Sequence, residues 1–168
     1  MPDLLTNINS ELEDLLATMT TGGGYNYTWL ETSINPLNRD FAEAIVTTYA
    51  AIFPVAFIHY GPENVVKPTM SQLAANGQTY TNDIDFRLEV FLGASNADVA
   101  DVQINKAISD LKKLLFNNDC LDGNAFVLLY TGHGRDTAFA DAEGCAGRLF
   151  FDITIRYNQD ITNPEVLA

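Results

Sequence analysis

The stretch Tyr80–Asn118 constrains the fold more than any other, because its hydrophobic period changes once and cleanly. From Tyr80 to Leu92 the even positions are Tyr80, Asn82, Ile84, Phe86, Leu88, Val90 and Leu92. The odd positions are Thr81, Asp83, Asp85, Arg87, Glu89 and Phe91. A period of two with one apolar face is a strand, one side on a core and the other on water or a partner. Gly93 is expected to end it. Ser95 and Asp98 stand at capping-box spacing, with Asp in the place usually held by Glu. Behind them Ile104, Ile108, Leu111 and Leu115 repeat at helical spacing. Asp98 and Asp101 near the start and Lys112 and Lys113 near the end suit the helix dipole. Asn117, Asn118 and Gly123 supply the stop. A strand that hands its chain to a helix on the same sheet face is an α+β nucleus.

The last third of the chain offers a mate for that strand. From Leu149 to Tyr157 the odd residues Leu149, Phe151, Ile153, Ile155 and Tyr157 are apolar. The even ones, Arg148, Phe150, Asp152, Thr154 and Arg156, carry charges that complement those of Tyr80–Leu92. Arg87 and Glu89 are expected to meet Asp152, Arg148 or Arg156 across an antiparallel pair. Each such contact contributes only about 0.2–1 kcal/mol, so the set fixes register more than stability.

Other segments complete the body. Asp3 can cap a helix running to about Met19, with Leu4, Ile8, Leu12, Leu15 and Met19 as its apolar stripe. The glycines of Thr20–Gly24 end it. Tyr25–Leu30 reads as a short strand with Tyr25, Tyr27 and Trp29 on one face. Ile34–Asn38 reads as a turn on Asn35-Pro36. Asp40–Ala51 reads as a helix, although its β-branched run Ile45–Thr48 leaves that open. Val55–His59 and Ala125–Tyr130 read as strands, Gly61–Asn64 as a turn, and Val65–Gln78 as a long loop suited to an arm or lid. Thr131–Gly147 is expected to be a connecting loop. Asn158–Ala168, with Pro164, reads as a flexible or partner-ordered tail on a single domain spanning residues 1–168.

Composition bounds the function. Charged residues make up 18% of the 168, against roughly 25% in an average domain, so much of the surface must be neutral or covered. The formal net charge is −13, which argues against a phosphate-binding face, since such a face needs clustered Lys and Arg. Cys120 and Cys145 lack metal-ligand spacing and are expected to be reduced, although they could pair. Met1–Leu5 has the wrong charge for a secretory signal, and Tyr49–Ile58 is too short to span a bilayer. The expectation is a protein made in the cytosol, with no membrane partner.

The search for chemistry returns little. Gly132-His133-Gly134-Arg135-Asp136 is the one site-like stretch: a His in a Gly-bearing loop with Asp three residues on could form an acid–base pair. The competing reading is a plain connection. His59 reads as a satisfied side chain at the core edge, because no second His, Cys or carboxylate cluster stands at ligand spacing nearby. The aromatic row Tyr25, Tyr27 and Trp29 reads as core or interface, not as a base-stacking platform, because no basic residues are interleaved with it. No nucleophile elbow, phosphate loop or zinc motif is present. No catalytic, cofactor-binding or metal residue is assigned.

The order of elements carries a resemblance. An amphipathic N-terminal helix, a strand, a long alternating strand, the helix bearing Ile108-Ser109-Asp110-Leu111-Lys112-Lys113-Leu114-Leu115, a Gly-bearing turn at Asn118–Gly123 and the closing strand Arg148–Tyr157 follow one another. This resembles the tail terminator (tail completion) proteins of long-tailed bacteriophages, over roughly Leu4–Pro164. The resemblance implies an α+β fold, a mostly antiparallel sheet with two long helices packed on one face. It implies a non-enzymatic, cofactor-free virion protein at the head-proximal end of the tail. Such proteins form a hexameric ring that caps the tail tube, stops its polymerisation and offers a docking surface to the head and neck. The implied partners are further copies of the chain, the tail tube protein, a neck or head-completion protein and, in a contractile tail, the sheath protein. DNA would pass through the lumen without specific binding. Another neck, head–tail joining or minor tail protein is the alternative. A small hydrolase or ligand-binding domain using His133, Arg135 and Asp136 is the third reading.

Overall fold

The computed structural model describes residues 4–30, 34, 54–66, 79–121, 126–141 and 144–160. The expected Asp3 cap, the turn at Asn35-Pro36, the helix Asp40–Ala51, residues 67–78 of the long loop, Gly123 and residues 161–168 of the tail lie outside them.

The chain is α+β. Helix α1 spans Leu4–Ala17, strand β1 Val55–Val66, β2 Thr79–Ala94, helix α2 Ala97–Asn117, β3 Cys120–Leu121, β4 Phe126–Asp141 and β5 Gly144–Asp160. The strands form one sheet in the order β1-β2-β5-β4-β3. Every neighbouring pair is antiparallel. Strands β2 and β5 are its axis, paired without a break from Thr79↔Asp160 to Ala94↔Cys145. Outside β1, Ile34 makes an isolated parallel bridge to Ala56.

The alternation read from the sequence sets the layers. Ile84, Phe86, Leu88, Val90 and Leu92 of β2 and Leu149, Phe151, Ile153, Ile155 and Tyr157 of β5 are all buried on one face. Both helices pack on that face. Ile8, Leu12 and Leu16 of α1 and Ile104, Ala107, Ile108, Leu111 and Leu114 of α2 join the same core cluster. In each helix one position differs from the expected stripe. Leu16 and Leu114 are buried, whereas Leu15 and Leu115 are half-buried. A 3.6-residue turn drifts against integer spacing, and only the partner surface decides which neighbour turns inward. The N-cap of α2 is Asn96, not Ser95. Its side chain accepts from Val99 N at 2.9 Å. Gly147 explains how closely α2 lies on β5, since a Cβ there would come within 2.9 Å of the Ile104 side chain.

Four expected breaks are not breaks. Strand β2 runs through Gly93 to Ala94 because β5 continues to pair with it. The turn expected at Gly61–Asn64 lies inside β1, which absorbs it as a register shift between Tyr60 and Glu63. Proline and glycine are tolerated at such a bulge on an outer strand. The loop expected at Thr131–Gly147 is mostly ladder: β4 and β5 pair from Phe126↔Tyr157 to Asp141↔Gly144, with shifts at Tyr130/Gly132 and Thr137/Phe139. Strand β5 also takes in Asn158–Asp160 of the expected tail. In the other direction, Tyr25–Leu30 is not a strand but an irregular segment. Among the described residues no helix is long and apolar enough to cross a membrane.

Candidate functional site

The face of the sheet opposite the helices concentrates the charged side chains of β2 and β5. Facing pairs are Asp83/Arg156, Asp85/Thr154, Arg87/Asp152, Glu89/Phe150 and Phe91/Arg148. Arg156 grips Asp83 with two hydrogen bonds of 2.8 Å. Arg87 donates to both oxygens of Asp152 at 2.7 and 3.3 Å. These carboxylates hold both guanidinium groups above their ordinary pKa, chiefly by hydrogen bonding. The Thr154 hydroxyl donates to Asp85 at 2.6 Å.

Glu89 is the one buried charged side chain of this ladder. It is 2% exposed, and its two oxygens serve different partners. Arg148 Nε donates to Oε1 at 2.7 Å, and His59 Nε2 lies 2.9 Å from Oε2. The Arg148 guanidinium lies 4.4 Å from the Phe150 ring centroid and 5.9 Å from that of Phe91. Arg87 lies 5.4 Å from Phe150, and Phe57 meets Phe91 edge-on at 6.0 Å. Aromatic rings and a guanidinium thus surround a buried carboxylate, which strengthens its pairing and raises the cost of losing a partner.

At mid-sheet the bulges of β1 and β4 flank an open trough of about 590 Å³ lined by His59, Asp85, Arg87, Thr131, Asp152 and Thr154, among others. Its ionic groups are spent on one another, Arg87 on Asp152 and Asp85 on Thr154. The expected meeting of Arg87 and Glu89 with Asp152 and Arg148 is therefore found, while Arg156 goes to Asp83.

The stretch Gly132–Asp136 lies in strand β4, and the strand separates its functional groups. His133 faces Phe151 and Arg135 faces Leu149, on the helix side. Asp136 faces Arg148, on the other. His133 and Asp136 therefore do not form the acid–base pair that a loop would allow. The Nδ1 of His133 instead hydrogen-bonds the Tyr130 hydroxyl, with the two rings stacked. Arg135 reaches Asp101 of α2 at 3.6 Å. His59 is held by Glu89 as a satisfied side chain, though it stands on the open face. Cys120 is a free thiol. Among the described residues no group of three His, Cys, Asp or Glu converges as a metal site would require.

A second polar centre lies on the helix side. Asp110 of α2 is 2% exposed. One of its oxygens accepts from the backbone and side-chain nitrogens of Asn26, both at 2.8 Å, and the other from Tyr27 N at 3.0 Å. Lys113 closes the same segment by donating to Gly24 O at 2.9 Å. The Tyr27 hydroxyl bonds Gln103, and burial, reinforced by Asp110, pushes its pKa far above the ordinary 10.0. Residues 24–27 are thus latched to α2 in place of the ladder expected there. Sequence reasoning passed over both buried acids. Asp110 had a signal, an acid at the spacing of Ala107 and Leu114 within an apolar stripe. Glu89 had none, since its place in the alternation is that of the exposed Arg87.

No protein-family model matches this chain, and no curated protein matches it.

Proposed function

We propose that the chain is a structural subunit of a long-tailed phage-type particle, a tail terminator that closes as a hexameric ring on the tail tube. The observation that carries this reading is the sheet face opposite the helices. Its Arg and Asp side chains satisfy one another in a ladder, which fixes geometry and leaves little charge to act on a substrate. A ring subunit needs a stiff body with two different contact patches, one for each neighbour. A sheet buttressed by helices on one side supplies that body. In the assembled ring the inner wall is net negative, in keeping with −13 overall, so DNA passes without adhering.

Mass measurement of the free protein and electron microscopy of the protein with tail tubes test the reading. The expected result is a six-fold ring, in solution or only at the tube end. A protein that stays monomeric at all concentrations and does not bind tubes overturns it. A ring located elsewhere in the neck or tail assigns it to another joining protein of the same particle.

A further inference from the structure

We infer that the subunits join edge to edge, the outer edge of β4 in one copy pairing with the outer edge of β1 in the next. This rests on the ring reading above and specifies its contact.

Two edges end the sheet. On one side β3 covers β4 only at Phe126 and Val127. From Leu129 to Arg135 no strand lies on its outer side among the described residues. On the other side Ile34 bridges β1 at Ala56, and His59–Val66 has no outer strand among the described residues. Exposed edges of this length are normally guarded by Lys or other charges, since they recruit any available strand. Neither stretch contains a Lys, and each is interrupted by one bulge, which in β1 holds Gly61 and Pro62. His59–Val66 carries one charged residue, Glu63, and Leu129–Arg135 carries one, Arg135.

Polarity and register identify the second copy as the occupant. Three antiparallel steps separate β1 from β4, so the two run in opposite directions. A copy generated by rotation then presents β1 antiparallel to its neighbour's β4, with no reversal of the body. The free stretches are offset along the strands. Val66 lies at the level of Thr81, and Leu129 lies at the level of Thr154 and hence of Asp85. Bringing Val66 opposite Leu129 slides each subunit by the four residues between Thr81 and Asp85. Spread over β1, β2, β5 and β4, this is one residue of shear per strand. An eight-stranded barrel of shear 8 has the same ratio, with strands tilted about 36°. Closed sheets require such a stagger, whatever the number of copies.

Hydrogen exchange of the free protein and of the assembled ring tests this. The expected change is at least tenfold slower exchange at alternate amides of both His59–Val66 and Leu129–Arg135 on assembly, with the amides of α2 unchanged. A ring that forms with both edges exchanging as in the free protein overturns the edge pairing and leaves the ring reading standing. No ring under any condition overturns both. Protection of these edges only by tube protein, without contact between copies, overturns the second copy as occupant. Proline substitutions supply an independent readout. Successive amides of a strand point to opposite sides, so of His133→Pro and Gly134→Pro one breaks a β4–β5 bond and the other only blanks the free edge. The expected result is that one variant stays folded and loses ring formation. Rings formed by both variants overturn the proposal.

Discussion

The two faces of β2 and β5 share a backbone, a register and a residue period, yet different forces act on them. On the helix face ten large side chains are removed from water, each contributing about 1.5–3 kcal/mol. On the other face the same strands carry paired ions that are mostly half in water, where a contact contributes about 0–1 kcal/mol. One face supplies stability, and the other supplies alignment. Glu89 crosses that division. It belongs by alternation to the ionic face but is as buried as the core, so its partners should matter in the way core residues do.

Substitutions can break or sharpen this contrast. The largest effect is expected from Phe151→Ala, which should cost about 3–5 kcal/mol in denaturant unfolding, the range for removing a fully buried ring. Next comes Arg148→Ala. It takes the guanidinium away from Oε1 of the buried Glu89 carboxylate, and about 3 kcal/mol is expected. A loss below 1 kcal/mol would put Glu89 with the solvated pairs and erase the exception. Asp110→Ala strands the amides of Asn26 and Tyr27 and should cost about 2–4 kcal/mol. A crystal structure of that variant should show residues 24–27 displaced from α2.

Smaller effects complete the series. Gly147→Ala drives a methyl into Ile104 and should cost about 1–3 kcal/mol. A double-mutant cycle on Arg87 and Asp152 should give a coupling of about 0.2–1 kcal/mol that shrinks in 1 M salt. The Tyr27 hydroxyl adds a pH signature. Its folded pKa is raised, so the unfolded chain loses that proton first as pH climbs past 10.0. The contribution of Tyr27 to stability should therefore be constant below that pH and fall above it, and Tyr27→Phe should lessen the fall. Thermal melts at pH 8 and pH 11 compare the two.

Local pattern was enough wherever one face of an element met one environment. The alternation from Ile84 to Leu92 and from Leu149 to Tyr157 predicted the buried residues of the sheet axis, and the charge order predicted that Arg87 and Glu89 would meet Asp152, Arg148 or Arg156, from which the fold selected Arg87–Asp152 and Glu89–Arg148. It failed where a neighbour overrode local preference. Gly93, Gly61-Pro62 and Gly132–Gly134 all read as punctuation, yet each lies within a strand because β5 or β2 continues beside it and supplies the hydrogen bonds. Tyr25–Leu30 failed in the opposite sense. Its aromatic alternation has no ladder to join, and the carboxylate of Asp110 holds its amides instead.

Hydrophobic period and charge order settled that this chain builds a strand–helix body with a second long strand beside it, because both are properties of consecutive residues. Which strands border each other, how far they run past their glycines, and that His133 and Asp136 look away from each other were decided by pairing between residues far apart in the chain. The same holds for the burial of Glu89 and Asp110. A carboxylate is buried or solvated according to what long-range contacts place around it, and no neighbour in the sequence carries that information.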